Sequence, residues 1–249
     1  MREPLTVSGL ANVRDLGGLE RADGTTTPWG AFVRAERLDR IDEAGWRALR
    51  DYGVATVVDL RRPGESSGDV PRWITRVQVD LDGDEAEFWR PFEADGRWGT
   101  PLYYGAHLRE LPHRLGAVLE VLAQAPDGAI LFHCSAGWDR TGLLAAFLLR
   151  ALDVAPEAAI ADYLASFANV DAMEALHERS FEAVERRAIL ERFGHTPESA
   201  FLEMYAQLNI TFLLHAADLD LATRAATLTW RGHASPATTA TRQMDPFSS

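Results

Sequence analysis

The chain has 249 residues, 47% of them hydrophobic, which is enough apolar material to bury the core of one large domain. Its 37 acidic residues outnumber its 25 basic residues, all of them arginine, and the net charge of −12 opposes non-specific binding to nucleic acid or an anionic membrane surface. The apolar run at residues 143–149 is far shorter than the roughly 20 residues of a bilayer-spanning helix. We therefore expect no nucleic-acid partner and no membrane insertion.

The single cysteine excludes an internal disulfide and a cysteine-rich zinc site. The histidines at positions 107, 113, 177 and 195 do not have the spacing of metal ligands, so we expect neither a metal nor another cofactor. The first ten residues lack a basic segment followed by an apolar run. This favours a cytoplasmic location, with export that uses no readable signal left open, and the sequence does not indicate the oligomeric state.

The first elements in chain order are a helix and two strands. Residues 42–52 carry apolar side chains at helical spacing and are followed by Gly53, which predicts a helix that ends there. The β-branched, apolar residues 54–60 predict a strand, and alternation over residues 76–81 predicts a second one. The acidic, glycine-broken stretch at residues 82–87 then predicts a mobile loop.

The middle of the chain predicts a buried strand that leads into a helix. Residues 107–125 have helical periodicity despite Pro112, and a turn follows. The short apolar run at residues 129–133 predicts a central strand, parallel to its neighbours. Because the sequence becomes helical again at Arg140, the intervening residues form a strand-loop-helix junction.

The remaining sequence completes a prediction of fold class. Residues 156–167 predict a helix that begins at a proline, and helical patterns continue to about residue 226. We expect an α/β fold with a central, mainly parallel sheet flanked by helices and a helical C-terminal region from about residue 156. Residues 1–228 would form one domain, and the segment 229–249, rich in Thr, Ala, Ser and Pro, a flexible tail.

The junction HCSAGWDRTG, residues 133–142, contains the only cysteine. A glycine-containing loop that enters a helix directs backbone N–H groups and the positive end of the helix toward one point, where an anion binds. This field favours the thiolate of Cys134 over the thiol, and the thiolate is a nucleophile. Arg140 can hold two phosphate oxygens with its planar fork, and Thr141 offers a hydroxyl to the sulfur. The set indicates phosphoryl transfer through a phosphocysteine.

Three other interpretations of this junction are weaker. A lone cysteine is usually a buried small residue, but that does not explain Arg140 and Thr141 at these positions. A non-enzymatic phosphate-binding module has no need of a thiolate, and a sulfurtransferase does not require this arginine and threonine.

These motifs resemble the protein tyrosine phosphatase superfamily, through HCxxGxxRTG, and within it a bacterial atypical branch. The resemblance extends over most of residues 8–168 and weakens in the last 80 residues. It implies a phosphatase fold, a tyrosine-phosphatase-like catalytic domain, a phosphotyrosine-containing protein or other phosphomonoester as substrate, and phosphate binding by the loop residues Ser135, Ala136, Gly137 and Trp138 with Thr141. Further matching segments are NVRDLGG at 12–18, FVRAERLDRIDEAG at 32–45, VVDLRRPGE at 57–65 and ADYL at 161–164.

Trp138 departs from the branch, which usually has lysine there. The missing charge argues against phosphoinositide substrates, although phosphoserine, phosphoinositide or small-metabolite phosphatase activity remains an alternative to phosphotyrosine hydrolysis. The indole either stacks on an aromatic phosphoester or packs under the C-terminal helices, and packing is favoured.

A general acid must protonate the leaving oxygen. The resemblance implies that it lies on a separate loop that corresponds to the acidic segment here, and alignment by the strand favours Asp84, then Asp82, with Asp80 at the strand edge. Asp139 remains open: the resemblance implies a role in positioning or protonation near Cys134, and the alternative is a hydrogen bond that braces the loop.

Several polar residues receive structural interpretations. Arg61 and Arg62 could contact substrate, but an ion pair with Glu65 that braces the turn is favoured. The polar residues of segment 12–18, Asn12, Arg14 and Asp15, favour structural hydrogen bonds. His133 is expected to bond backbone and hold the loop.

Overall fold

The structure, a computed structural model, describes residues 4–65 and 70–235. The spatial order of the strands within these ranges places the fifth strand in the centre, and only the first pairs with its neighbour in antiparallel fashion. The predicted α/β fold with a mainly parallel sheet is therefore confirmed. In chain order the five strands are β1 (Arg14–Asp15), β2 (Phe32–Ala35), β3 (Val54–Asp59), β4 (Thr75–Gln78) and β5 (Ala129–His133), and in the sheet they lie as β1-β2-β5-β3-β4.

Helices surround this sheet and make up the C-terminal part of the described chain. Among the described residues, none of them has both the length and the apolar character needed to cross a membrane. They are α1 (Glu43–Tyr52), α2 (Ala86–Asp95), α3 (Pro101–Glu110), α4 (Pro112–Gln124), α5 (Asp139–Ala151), α6 (Pro156–Ala168), α7 (Val170–His177), α8 (Ala183–Arg192), α9 (Pro197–Gln207), α10 (Ile210–Ala216) and α11 (Leu221–Leu228).

The helix predicted before the first long strand forms as expected. The Asp42 side chain accepts a hydrogen bond from the Gly45 N–H and caps the start of α1. Gly53 ends the helix in the left-handed conformation, with φ of 98°, and β3 begins at the next residue. Local chemistry alone therefore fixes this part of the chain.

The prediction of one helix over residues 107–125 is wrong. Two helices, α3 and α4, meet at Leu111, whose φ and ψ are −120° and 48°. Pro112 lacks an N–H and disfavours helical geometry in the residue before it, so it starts a new helix instead of continuing the old one. The periodicity persists because both helices bury apolar residues in the same core.

The acidic stretch at residues 82–87 is not a loose loop throughout. Asp82 is buried, the Trp89 indole donates to its carbonyl at 3.1 Å, and α2 begins at Ala86. The preceding strand is also shorter than predicted, because pairing with β3 ends at Gln78. Tertiary contacts from α2 thus hold the start of a segment that composition alone marked as mobile.

Three parallel strands end side by side and so fix the position of the next loops. His133 is paired with Ala35 of β2 and with Asp59 of β3. Every residue of β5 is buried, which explains its continuous apolar sequence. The segments after β2, β3 and β5 therefore meet at one edge of the sheet, where ligands bind in folds of this kind.

The segment predicted as a tail begins with packed residues. Trp230 is fully buried, and its indole N–H donates to the Leu148 carbonyl at 3.0 Å. The Arg231 guanidinium donates to the carbonyls of Gly128 and Ala125. Residues 229–235 therefore lie against the domain, and the rest of the predicted tail, 236–249, lies outside the described residues.

Candidate active site

The loop after β5, residues 134–138, is called the cysteine loop here. It leads directly into α5, whose first residue is Asp139, so the positive end of that helix faces Cys134. Gly137 has φ of 64°, and a Cβ on it would lie 2.4 Å from the Ala35 carbonyl oxygen. The loop therefore requires glycine at this position.

Cys134 is a free thiol, 2% exposed, and it lines a cavity of about 740 Å³. The cysteine loop forms one wall, and the other walls come from the segment after β3, the residues around Asp82, the α2–α3 connection and the region of α8. The cavity is lined by Arg62, Glu65, Asp82, Glu93, Gly96, Trp98, Cys134, Ser135, Ala136, Trp138, Asp139, Arg140, Arg179, Ser180, Phe181, Glu182, Glu185, Arg186 and Ile189.

Arg140 extends into this cavity from the first turn of α5. Its Nη1 and Nη2 donate to the two oxygens of Glu65 at 2.7 and 3.1 Å, and Nη1 lies 3.2 Å from Asp82 Oδ2. Burial works against the charged guanidinium, but the bonds to Glu65 and the nearby negative groups raise the pKa of Arg140 above its ordinary value. The side chain is therefore a fixed cation in the wall of the cavity.

Of the three carboxyl groups at positions 80, 82 and 84, the structure places that of Asp82 beside Arg140, in the cavity that Cys134 also lines. Asp82 is 3% exposed, and burial raises its pKa to about 6, against the opposing charge of Arg140. The Asp84 side chain is 98% exposed and lies 3.2 Å from Arg114 instead. Asp80 accepts from the Gly83 N–H and holds the turn. The preference for Asp84 in the sequence alignment therefore does not match the geometry.

The family model for tyrosine phosphatases matches residues 5–215. The chain belongs to the tyrosine phosphatase family. The chain is 33% identical over 178 residues to a Cupriavidus necator protein with a provisional tyrosine-protein phosphatase name. This match covers 66% of the present chain and 63% of the Cupriavidus protein, so the chain spans less than two thirds of that relative's length. It is 31% identical over 212 residues to the triple specificity protein phosphatase PtpB of Mycobacterium tuberculosis, covering 72% and 74%. A tyrosine-protein phosphatase of Nostoc commune is 32% identical over 131 residues, 50% of this chain and 44% of that protein.

Asp139 is held from α3 and not by the cysteine loop. Its Oδ2 accepts from the Tyr103 hydroxyl at 2.8 Å, and its backbone carbonyl accepts from the Tyr104 hydroxyl at 3.0 Å. Oδ1 is buried without a hydrogen-bond partner among the described residues. Burial raises the pKa of Asp139, although Arg186 and Tyr103 counteract this effect. The carboxyl group thus anchors the start of α5 on α3.

Trp138 of this family member packs under the C-terminal helices. It is 2% exposed, and its ring contacts Phe167 edge-on with centroids 3.9 Å apart. Its indole N–H donates to the Tyr163 hydroxyl at 3.3 Å, and the Arg186 guanidinium lies over the ring, 5.5 Å from its centroid. The tryptophan therefore supports the cavity wall formed by α8.

Two sequence expectations about bonding partners differ from the structure. Arg61 is buried and forms a two-point ion pair with Asp59, at 2.8 and 2.7 Å, and not with Glu65. Glu65 accepts from the Arg140 guanidinium on both of its oxygens and also from the backbone N–H of Arg62. Thr141 Oγ1 is buried and makes no hydrogen bond to any described group, so the expected bond to the sulfur is not formed.

His133 has the predicted role beside the loop. Its Nδ1 lies 3.1 Å from the Cys134 carbonyl oxygen, and its Nε2 lies 3.8 Å from Asp59. Burial lowers the pKa of His133 to about 4, with the Asp59 charge opposing this shift, so the ring is neutral at neutral pH.

Sequence reasoning missed the far wall of the cavity. Glu93 and Trp98 come from α2 and the segment after it, and Phe181, Glu185 and Arg186 come from the region of α8. Helical periodicity identifies which faces are apolar but not where each helix docks. The sequence signal that could have located this wall is the presence of large aromatic residues, Trp98 and Phe181, in segments otherwise rich in charged residues.

Proposed function

We propose that the protein hydrolyses phosphomonoesters through a covalent phosphocysteine on Cys134, with phosphotyrosine in proteins as the substrate. The observation that carries this proposal is the convergence of a nucleophile, a fixed cation and a buried carboxyl group on one cavity. Cys134, Arg140 and Asp82 supply these three groups. Membership of the tyrosine phosphatase family supports the same chemistry.

In the first step the Cys134 thiolate attacks phosphorus, the S–P bond forms and the P–O bond to the leaving group breaks. Asp82 in its acid form gives its proton to the leaving oxygen, so the alcohol departs neutral. In the second step a water attacks phosphorus and loses a proton to the Asp82 carboxylate. The S–P bond then breaks, which releases inorganic phosphate and regenerates the thiolate.

Arg140 stabilises the equatorial oxygens of the phosphoryl group. A guanidinium carries five N–H donors, of which Glu65 accepts two, one on each terminal nitrogen. The remaining donors include Nε–H and one hydrogen on each terminal nitrogen. Glu65 can therefore fix the orientation of the guanidinium group while its remaining N–H groups bind the phosphoryl oxygens of the substrate.

The cavity offers ring surfaces to an aromatic phosphoester. Trp98 and Phe181 line it, and Trp98 is 38% exposed. The further lining charges are of both signs, and they come from Glu93, Glu182, Glu185, Arg62, Arg179 and Arg186. The rings, and not the charges, therefore support a phosphotyrosine side chain as the substrate group.

Hydrolysis of an aryl phosphate tests this proposal, with wild type compared with Cys134→Ser in the presence of a chelator. We expect full wild-type activity with chelator and none in the serine variant, because serine is not ionised at neutral pH. Activity retained by Cys134→Ser, or lost on chelation, would contradict the mechanism. Comparison of phosphotyrosine, phosphoserine and phosphoinositide substrates at equal concentration then tests the substrate class.

A further inference from the structure

Three successive carbonyl groups of the cysteine loop are hydrogen-bonded from the side away from the cavity. The Arg37 backbone N–H donates to the Ser135 carbonyl at 3.0 Å. The Asn12 amide Nδ2 donates to the Ala136 carbonyl at 2.9 Å. Arg34 Nη2 donates to the Gly137 carbonyl, also at 2.9 Å.

These contacts matter because a peptide group is planar and trans, so its N–H points opposite to its carbonyl. Fixing the carbonyls of residues 135, 136 and 137 outward turns the N–H groups of residues 136, 137 and 138 toward the cavity. Those N–H groups are the donors that a phosphoryl group needs when it is bound by backbone. The orientation of the anion site thus depends on groups that do not touch the anion.

The two side chains in this set belong to one buried polar network. Asp162 on α6 accepts from Arg14 at 2.6 Å and from Arg34 on its other oxygen. Arg14 also donates to Asn12 Oδ1 at 2.7 Å, which leaves the amide Nδ2 of Asn12 directed at the loop. Both Arg34 and Asn12 are almost completely buried, so their partners cannot be replaced by water without cost.

The backbone at Asn12 is fixed as well. Its N–H donates to a carboxylate oxygen of Glu36 at 2.9 Å, and Glu36 is fully buried just after β2. The segment 12–18 and the end of β2 therefore form a rigid support behind the cysteine loop.

We propose that Asn12 and Arg34 are positioning residues that orient the cysteine loop for binding of a tetrahedral oxyanion. This inference rests on the proposed function only in taking the phosphoryl group of the substrate as that oxyanion. It gives the segment 12–18 a part in the reaction, although none of its residues lines the cavity.

Binding of tungstate, a tetrahedral dianion, tests the proposal by calorimetry and needs no turnover. Asn12→Asp keeps the side-chain size and the acceptor for Arg14 but replaces the donor to Ala136 with an acceptor. Arg34→Lys leaves one ammonium that cannot reach both Asp162 and Gly137. We expect each to raise the dissociation constant for tungstate about tenfold, the effect of one unsatisfied hydrogen bond.

Ser166→Ala is the matched control. Ser166 accepts from Arg14 at 3.0 Å and, in a longer contact of 3.5 Å, from Arg34 Nη2 in the same buried network, and its hydroxyl bonds none of the three loop carbonyls. We expect this variant to bind tungstate as wild type does, even if its free energy of unfolding in urea falls. If Arg34→Lys does not fold, Asn12→Asp decides the question alone.

A folded Asn12→Asp variant that binds tungstate as tightly as wild type would overturn the inference. An equal loss of tungstate affinity in Ser166→Ala would also overturn it, since the network would then act only through the general stability of the protein. An inactive wild type that binds tungstate, with weaker binding in the variants, would refute the proposed function and leave this inference standing. A wild type that does not bind tungstate would refute both.

Discussion

Asp82 Oδ2 lies 3.2 Å from Nη1 of Arg140, and burial holds the pKa of this carboxyl group at about 6. A buried carboxyl group next to a buried arginine would ordinarily ionise readily. Here desolvation outweighs the attraction, so Asp82 can hold a proton at mildly acidic pH and release it near neutrality. That behaviour suits a group that must act first as an acid and then as a base.

Substitution of Asp82 and of Asp84 in turn distinguishes which of the two carboxyl groups is the general acid. We expect Asp82→Asn to lower kcat at least about 100-fold on phosphotyrosine, because the leaving oxygen departs without a proton. Asp84→Asn should change kcat less than twofold, since Asp84 is exposed and faces Arg114. With an aryl phosphate whose phenol is strongly acidic, the Asp82→Asn defect should shrink. Equal defects in the two variants would refute this assignment.

The rate should fall as the pH rises through about 6. In the proposed mechanism Asp82 is protonated in the first step, and burial raises its pKa to about 6. In steady-state kinetics with phosphotyrosine peptide, kcat should therefore decrease on the alkaline side of pH 6 in wild type. This decrease above pH 6 should be absent from the pH–rate profile of the residual activity of Asp82→Asn. A limb that survives in this variant would identify another titrating group.

The free energy of unfolding should fall as the pH drops from 6.5 to 4. Burial lowers the pKa of His107 and His133 to about 4, so the unfolded chain binds protons that the folded chain excludes. Each histidine contributes on the order of 3 kcal/mol above pH 6.5 that is lost toward pH 4. Asp82 acts in the opposite sense, because its raised pKa gives stability that disappears as the pH rises through 6.

Urea unfolding of variants at pH 7 and pH 4.5 checks this balance. His107→Gln should reduce the difference in unfolding free energy between the two pH values. The exposed His215→Gln is the matched control and should leave the difference as in wild type. A His107→Gln protein with the full wild-type pH dependence would contradict the prediction.

Trp138 should contribute strongly to stability. Trp138→Ala removes a ring that is 2% exposed and packs on Phe167, and such a change usually costs about 3–5 kcal/mol. Trp73→Ala is the control, because Trp73 is 38% exposed and should cost much less in urea unfolding. Similar losses in the two variants would show that Trp138 does not support α8 as described.

Gly137 should be irreplaceable for anion binding. In Gly137→Ala the new methyl group would lie 2.4 Å from the Ala35 carbonyl oxygen, at φ of 64°. We expect tungstate binding to be lost, because the cysteine loop must move away from β2. Gly24→Ala has a similar φ of 80° but open space around the Cβ, so it should lose only about 1–2 kcal/mol of stability. Its tungstate affinity should match that of wild type.

Local sequence was sufficient for the elements whose signals are short in range. The Asp42 cap and Gly53 bound α1, and the continuous apolar run at residues 129–133 identifies β5 as a central strand. The spacing of Cys134 and Arg140 across a strand-loop-helix junction likewise predicts their convergence, since a short loop joins the end of β5 to the first turn of α5, where Arg140 lies. These features depend on residues within a few positions of one another.

Contacts between distant segments decided the rest. Alignment by the strand favours Asp84 over Asp82, but the packing of α2 buries the Asp82 carboxyl group beside Arg140 and leaves that of Asp84 in solvent. One hydrogen bond behind the cysteine loop comes from Asn12, which is 124 positions from Ala136 in the sequence. The sequence alone therefore predicted the thiol and the arginine of the proposed reaction, and it determined the type of fold. The tertiary structure decided which carboxyl group is buried beside Arg140 and which distant groups bond the loop carbonyls, because burial and long-range hydrogen bonds exist only once the chain has folded.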